Sequence, residues 1–391
     1  MKDIGIPKYE FEERIRKIRE KMNQRALDAV FVYGDEYRKE NLRYVSNYWP
    51  IFERGGMLLG LNGDPIVLCA PEGEKVAREM SAWEDIRLLP DFLCVTVPDE
   101  IEYPYAHYTS FKKLAKELGN VNRLGIAGLD AMPKGLFDII SEAFSCETED
   151  INDILYELRR TKSNNEIACL EEAARIADES MKAVMEADLI GKTERQACGI
   201  AEGTARKEGA EHIIFTVFGS GERTNTIVGR PSEKIIEDGD MIMLALAVQY
   251  EGYVATCEAP FAVGNISKET RRVLDVLIKA SAAGIPYLKP GVKMKTFVKA
   301  IRQYFRNEGL EEYDVYPPLH GIGCAEAESP YPDENTEQVF EVGMTVNTDI
   351  SLFGLPGGSC RIEEGFVITE KGARTLSPFV RKYCEEWMKN K

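Results

Sequence analysis

Two domains, an α/β one followed by an α+β one, are what this chain of 391 residues predicts, and three observations carry the expectation. The length suffices for two cores of ordinary size. The first part alternates short apolar runs with amphipathic stretches, as a sheet layered with helices does. The later part turns on a hairpin, Asp238 to Phe261, and its last third is strand-rich. In that hairpin Met241–Val248 is an unbroken apolar run bounded by turn signals, which reads as a buried strand. Glu251-Gly252 supplies a two-residue turn of the Asp-Gly kind, and Tyr253–Phe261 returns as the second strand. The returning strand carries Glu258, a carboxylate that is costly to bury unless something pairs with it. An outward-pointing side chain on an edge strand is the other reading of Glu258.

Taken in order, Tyr9–Ala26 is an amphipathic helix with Phe11, Ile15, Ile18 and Met22 on one stripe. Asp28–Tyr33 is a buried strand. Met57–Leu61 and Pro65–Cys69 form a strand pair around Asn62-Gly63-Asp64. Glu72–Ser81 and Phe111–Leu118 are helices, and Arg123–Ala127 is a further strand. His107 stands alone among aromatic residues, where structural packing accounts for it. Ser163 caps a helix with Glu166 closing a capping box. That helix presents Ile167, Leu170, Ala174, Ala177, Met181 and Val184 on a core face. Thr193 caps a second helix running through Lys207. His212–Val217 is a strand, Lys268–Ala283 and Met294–Arg306 are helices, and Pro290-Gly291 breaks the chain between them. Tyr313–Pro318 leads to His320, and Thr345–Phe353 and Cys360–Thr369 are the closing strands.

Hydrophobic residues make up 44% of the chain and charged residues 29%, an ordinary soluble balance. The net charge of -16, from 65 acidic and 49 basic residues, argues against partners such as nucleic acid or anionic membrane. No apolar run reaches the length of a membrane span, and the N-terminal stretch lacks the apolar core of a signal peptide. Nine scattered cysteines without a Cys-x-x-Cys pair suggest neither a zinc knuckle nor a disulfide framework, so a reducing cytoplasm is the simplest compartment.

Several motifs together resemble the pita-bread superfamily of creatinase, aminopeptidase P and prolidase. They are Asn41–Tyr48 (NLRYVSNY), Leu158–Ile167 (LRRTKSNNEI), Gly252-Tyr253 in the hairpin, Leu319–Gly323 (LHGIG), Gly343–Ile350 (GMTVNTDI) and Cys360–Glu364 (CRIEE). The resemblance covers nearly the whole chain, and its second half carries the specific motifs. It implies an N-terminal domain over residues 1–160 and a pita-bread domain over 161–391, with a curved, mainly antiparallel sheet covered by helices. It also implies a homodimer.

In the metallopeptidases of this superfamily, two aspartates of the hairpin hold a pair of divalent metals. Register from Gly252-Tyr253 puts Ala245 and Thr256 at those positions. Two histidines that transfer protons in the peptidases fall at Val228 and Ala327. His320 matches the histidine of the His-Gly-Ile-Gly segment, Asp349 stands for a ligand glutamate, and Glu363 matches the bridging glutamate. A two-metal site needs several oxygen ligands per ion, so a stable metal pair is not expected and the cofactor expectation is none. The alternative is a single Mn, Zn or Fe ion held by His320, Asp349 and Glu363.

Creatinase lacks both aspartates and carries a substrate-binding glutamate six residues after the same glycine, the spacing of Glu258. The resemblance therefore implies a hydrolase with a degenerate metal site. The expected reaction is metal-independent cleavage of a C–N bond in a small cationic or zwitterionic substrate. His320, Glu363 and Glu258 are the catalytic candidates. Arg361, Asp349, Glu328, Tyr253 and Arg230 are the substrate-binding candidates. For Arg361 a structural ion pair is an equal reading, since a guanidinium fork matches a carboxylate. Two alternatives stand beside this one: an Xaa-Pro dipeptidase or aminopeptidase with a reduced metal site, and a non-catalytic pita-bread binding protein.

Overall fold

A computed structural model describes residues 4–94 and 108–389. His107 lies outside them. The described chain falls into two compact units, Ile6–Arg159 and a second built from Arg160 onward with the residues before Ile6.

The first unit is α/β. Its strands are β1 (Ala29–Asp35), β2 (Arg54–Gly60), β3 (Ile66–Cys69), β4 (Ile86–Leu88), β5 (Arg123–Ala127) and β6 (Glu147–Asp150). They form one mixed sheet in the order β4-β3-β2-β1-β5-β6. β1 is antiparallel to β2 and parallel to β5, so it is central and apolar along most of its length. Phe31 on β1 packs edge-on against Phe111, the first residue of the helix Phe111–Leu118, with ring centroids 5.6 Å apart. Glu72–Ser81 is helical over Glu74–Met80 only, because Pro71 starts a 3-10 turn that precedes it.

The second unit holds two four-stranded sheets, and every strand pairing in it is antiparallel. β7 (His212–Ser220), β8 (Met241–Tyr250), β9 (Tyr253–Cys257) and β10 (Phe261–Ala262) form one sheet. β11 (Leu319–Gly321), β12 (Thr345–Leu352), β13 (Cys360–Thr369) and β14 (Gly372–Thr375) form the other. Helices Asn164–Met185, Glu194–Lys207, Lys268–Gly284 and Met294–Glu308 contribute their apolar faces to one large core with both sheets. Both capping boxes form: Ser163 Oγ accepts from Glu166 N at 3.1 Å, and Thr193 closes with Gln196. The Tyr253 hydroxyl donates to Glu166 at 2.7 Å and so ties the first of these helices to β9.

Glu251 and Gly252 both have positive φ (47° and 82°), the left-handed pair that a two-residue hairpin of this twist needs. The returning strand is shorter than the sequence predicts. β9 stops at Cys257, and Glu258 leaves the ladder to exchange backbone hydrogen bonds with Glu363 of β13, at 3.1 and 3.0 Å. Pro260, without an N–H, follows at once and keeps the ladder from closing again before Phe261. This bridge joins the two sheets, and it brings Glu258 inside. The edge-strand reading of that residue is corrected: Glu258 is 0% exposed.

Candidate active site

The bridge aligns three acids. Glu258 lies opposite Glu363, and Glu363 is the register partner of Asp349 on β12. Like charges side by side on one sheet face repel. Arg361 stands two residues before Glu363 on the same face of β13 and supplies the countercharge. Its Nη1 donates to Glu363 at 2.8 Å and to Asp349 at 3.3 Å, and its Nε lies 3.2 Å from Glu258. Tyr316 and Phe353 flank the guanidinium with ring centroids 5.4 and 5.6 Å away. Nη2 donates to the Ile227 carbonyl at 3.1 Å. Ile227 has φ 59°, a conformation a β-branched residue rarely adopts.

One cation does not satisfy this row. Both carboxylate oxygens of Glu258, Oδ1 of Asp349 and Oε2 of Glu363 are buried without a hydrogen-bond partner. Burial pushes the Glu258 carboxyl well above the carboxylate range, and Arg361 only partly opposes this. Asp349 moves the same way, from burial first and the neighbouring Glu363 next. Burial works against the Arg361 charge, but Glu363, Glu258 and Asp349 more than offset it.

In front of this row lies a cavity of about 440 Å³. One wall is apolar: Phe215 and Val217 of β7, Ala245 of β8, and Val228. The other carries His320, Glu326, Asp349, Arg361 and Glu363, with Tyr316, Pro317, Ala327 and Tyr331 around it. His320 Nδ1 is 3.0 Å from the Gly321 carbonyl oxygen, which can only accept, so Nδ1 carries the hydrogen. Nε2 is then the working nitrogen, and it lies 3.9 Å from Glu326 Oε1. Thr256 Oγ1 donates to that same oxygen at 3.2 Å. Burial and then the Glu363 charge raise the Glu326 carboxyl above the ordinary range, while His320 and Thr256 pull it down. An upward shift is the direction a general acid needs.

His320, Glu363, Arg361 and Asp349 therefore meet at the cavity. Glu258 sits behind Arg361 and is not part of the lining. Glu328 is buried elsewhere, in an ion pair with Lys162 at 2.7 Å. Tyr253 is committed to Glu166, and Arg230 is exposed at the surface. The residue missed from sequence is Glu326. Glu326 and Glu328 are two residues apart in a segment that forms no regular strand, so their spacing carries no signal of which one faces the cavity.

The donors do not fit a metal pair, since Ala245 and Thr256 offer no carboxylate. Nor do they fit a single ion on His320, Asp349 and Glu363. Among the described residues no group of three His, Cys, Asp or Glu is arranged to hold a metal.

A two-sheet, all-antiparallel unit wrapped in helices around an acidic cleft, preceded by an α/β unit, defines the class. Residues 168–370 match the model of metallopeptidase family M24, and residues 14–161 match the creatinase/prolidase N-terminal domain. The chain belongs to family M24, within the creatinase, prolidase and Xaa-Pro peptidase superfamily of hydrolases. It is 27% identical over 374 residues to an Xaa-Pro dipeptidase of Pyrococcus furiosus, spanning 95% of this chain and 99% of that one. An uncharacterised peptidase of Bacillus subtilis is 30% identical over 259 residues, 66% of this chain and 73% of the relative. Among solved structures, the prolidase of Pyrococcus horikoshii superposes with a TM-score of 0.80 at 24% identity, covering 93% of this chain and 98% of that one. Among the described residues no helix is long and apolar enough to cross a membrane.

Proposed function

We propose that the chain hydrolyses a C–N bond in a small substrate bearing a protonated amine, without a metal centre. Dipeptides of the Xaa-Pro type are the first class to test, because relatives aligned along nearly the whole chain carry that name. The observation that carries the reading is His320 Nε2 facing Glu326 in the wall of the cavity, beside acids that outnumber the one arginine. The surplus acids suit an ammonium, and the apolar wall of Phe215, Val217 and Ala245 suits a compact ring.

In this reading His320 Nε2 takes a proton from the attacking water. Glu326 delivers its proton to the leaving nitrogen, and the C–N bond breaks as the new C–O bond forms. His320 then returns its proton to Glu326 and the site is reset. A creatinase-like substrate, with the scissile nitrogen in a guanidino group, is the second reading, favoured by Ala245 and Thr256 where the metallopeptidases have aspartates. The homodimer implied by the resemblance is part of this proposal, and sedimentation equilibrium checks it.

The test is a screen of Xaa-Pro dipeptides, guanidino acids and N-methyl amino acids on EDTA-dialysed protein. Turnover of one class, unchanged by EDTA and lost in His320→Ala, is expected. Turnover that appears only on adding manganese or zinc would overturn the mechanism.

A further inference from the structure

We infer that the first unit carries a binding site of its own, for a small primary alkylammonium ion, between Tyr48, Glu53 and Gly73. A cavity of about 110 Å³ lies there, with room for about three groups the size of a water molecule, ~30 Å³ each. Phe52 and Val76 give it apolar walls. Local geometry builds its floor. Asn47 turns left-handed (φ 64°) to end the helix Glu40–Ser46, and Ser46 Oγ accepts from the Tyr48 N–H at 3.1 Å, which fixes the tyrosine. Gly73 closes the 3-10 turn Pro71–Gly73. A Cβ on Gly73 would stand 3.0 Å from the Tyr48 hydroxyl oxygen and 3.3 Å from Glu53 Oε2, so both oxygens converge on a position that has no side chain. Tyr48 is fully buried and Glu53 is 4% exposed. Among the described residues the Tyr48 hydroxyl and Glu53 Oε1 have no hydrogen-bond partner, which is uncommon for buried polar atoms. No cationic side chain among those residues offsets the carboxylate. Burial and then the Glu72 charge raise Glu53 from 4.5 to about 7, and only the Gly73 N–H opposes them. Besides Glu72, the ionisable groups near Glu53 are the Tyr48 hydroxyl and the Cys69 thiol, both raised by burial and so uncharged at neutral pH; the Glu74–Arg78 ion pair acts on Cys69. An ammonium head supplies the missing positive charge and three N–H donors for these oxygens, and a short alkyl tail suits Phe52 and Val76.

The test titrates ethylammonium chloride calorimetrically into the full-length protein, beside potassium chloride at equal ionic strength. Wild type is compared with Glu53→Gln, Tyr48→Phe, Gly73→Ala and Glu326→Gln, the last of which changes the acidic cavity of the second unit instead. No substrate is turned over, so the outcome is separate from which bond the enzyme cuts. Wild type is expected to bind ethylammonium with a Kd of about 1 mM, and to bind no potassium. Glu53→Gln and Gly73→Ala should weaken that binding at least about tenfold, Tyr48→Phe should weaken it less, and Glu326→Gln should leave it in place. Titrations at pH 7 in two buffers of different ionisation enthalpy should show up to about half a proton released per ion, because the bound cation favours ionised Glu53. Glu53→Gln should release none. That variant is nearly isosteric, so it keeps the test open if Gly73→Ala does not fold. A wild type without saturable binding in the millimolar range overturns the proposal. So does a folded Glu53→Gln that binds as wild type does, binding that is lost in Glu326→Gln instead, or equal binding of potassium.

Discussion

The two walls of the cavity differ in the chemistry they present, although both are built from antiparallel strands of one unit. On β7 and β8 the inward positions are Phe215, Val217 and Ala245. On β11, β12 and β13 they are His320, Asp349, Arg361 and Glu363. Thr256, on β9, has become a hydrogen-bond donor to Glu326. The contrast teaches that a row of buried acids on one wall can stand opposite an apolar wall when an internal countercharge, Arg361, lies among them.

The largest expected effect breaks the charged wall at its working group. His320→Ala should lower kcat on the substrate found by the screen by about 10²- to 10⁴-fold, and Glu326→Gln by about 10²-fold or more. Steady-state kinetics decide this, and a His320→Ala variant within a few-fold of wild type would remove the histidine from the mechanism.

Next in size is the charge balance of the row. Arg361→Ala in EDTA should cost about 3–5 kcal/mol, as removal of one partner from a buried ion pair does. Glu258→Gln should cost clearly less, because two acids still face the arginine. Urea unfolding measures both, and equal costs would contradict an excess of acid.

Rebuilding the missing acids sharpens the comparison from the other side. The double variant Ala245→Asp/Thr256→Asp should melt below wild type without metal, since it adds buried charge and removes the Thr256–Glu326 hydrogen bond. Manganese should raise its melting temperature and leave wild type unmoved. A double variant indifferent to manganese would show that Ala245 and Thr256 are not what keeps metal out.

The smallest effect contrasts the two faces of β13. Glu364 points away from the cavity, accepts from Thr375 at 2.9 Å and lies 3.2 Å from Arg381. Burial raises its carboxyl from 4.5 to about 7. Between those values the native chain binds the extra proton, so this group's contribution to stability falls as pH rises through that window. The melting temperature of Glu364→Gln relative to wild type should therefore be higher at about pH 8 than at about pH 5. A pH-independent difference would show that Glu364 is not the group responsible.

Much of this molecule was legible in local sequence. Apolar periodicity marked the helices, Glu251-Gly252 marked the hairpin, and Ser163–Glu166 and Thr193 marked helix starts, because each depends on a few neighbouring residues. His320, Asp349, Arg361 and Glu363 stood out through the segments LHGIG, GMTVNTDI and CRIEE and the family resemblance those carry. The spacing from Gly252 placed Glu258 in the same set, as a catalytic candidate. The backbone exchange between Glu258 and Glu363 put it behind Arg361, and that pairing joins positions far apart in the chain. Glu326 was invisible for a related reason: only the three-dimensional path decides which of two alternating glutamates faces His320 and which goes to Lys162.

By itself, then, the sequence determined the elements, the two-part architecture and the absence of carboxylates at Ala245 and Thr256. Only the tertiary structure decided which charges touch. Secondary structure follows from short-range propensity and patterning, whereas an ion pair depends on distances between strands that are far apart in the chain.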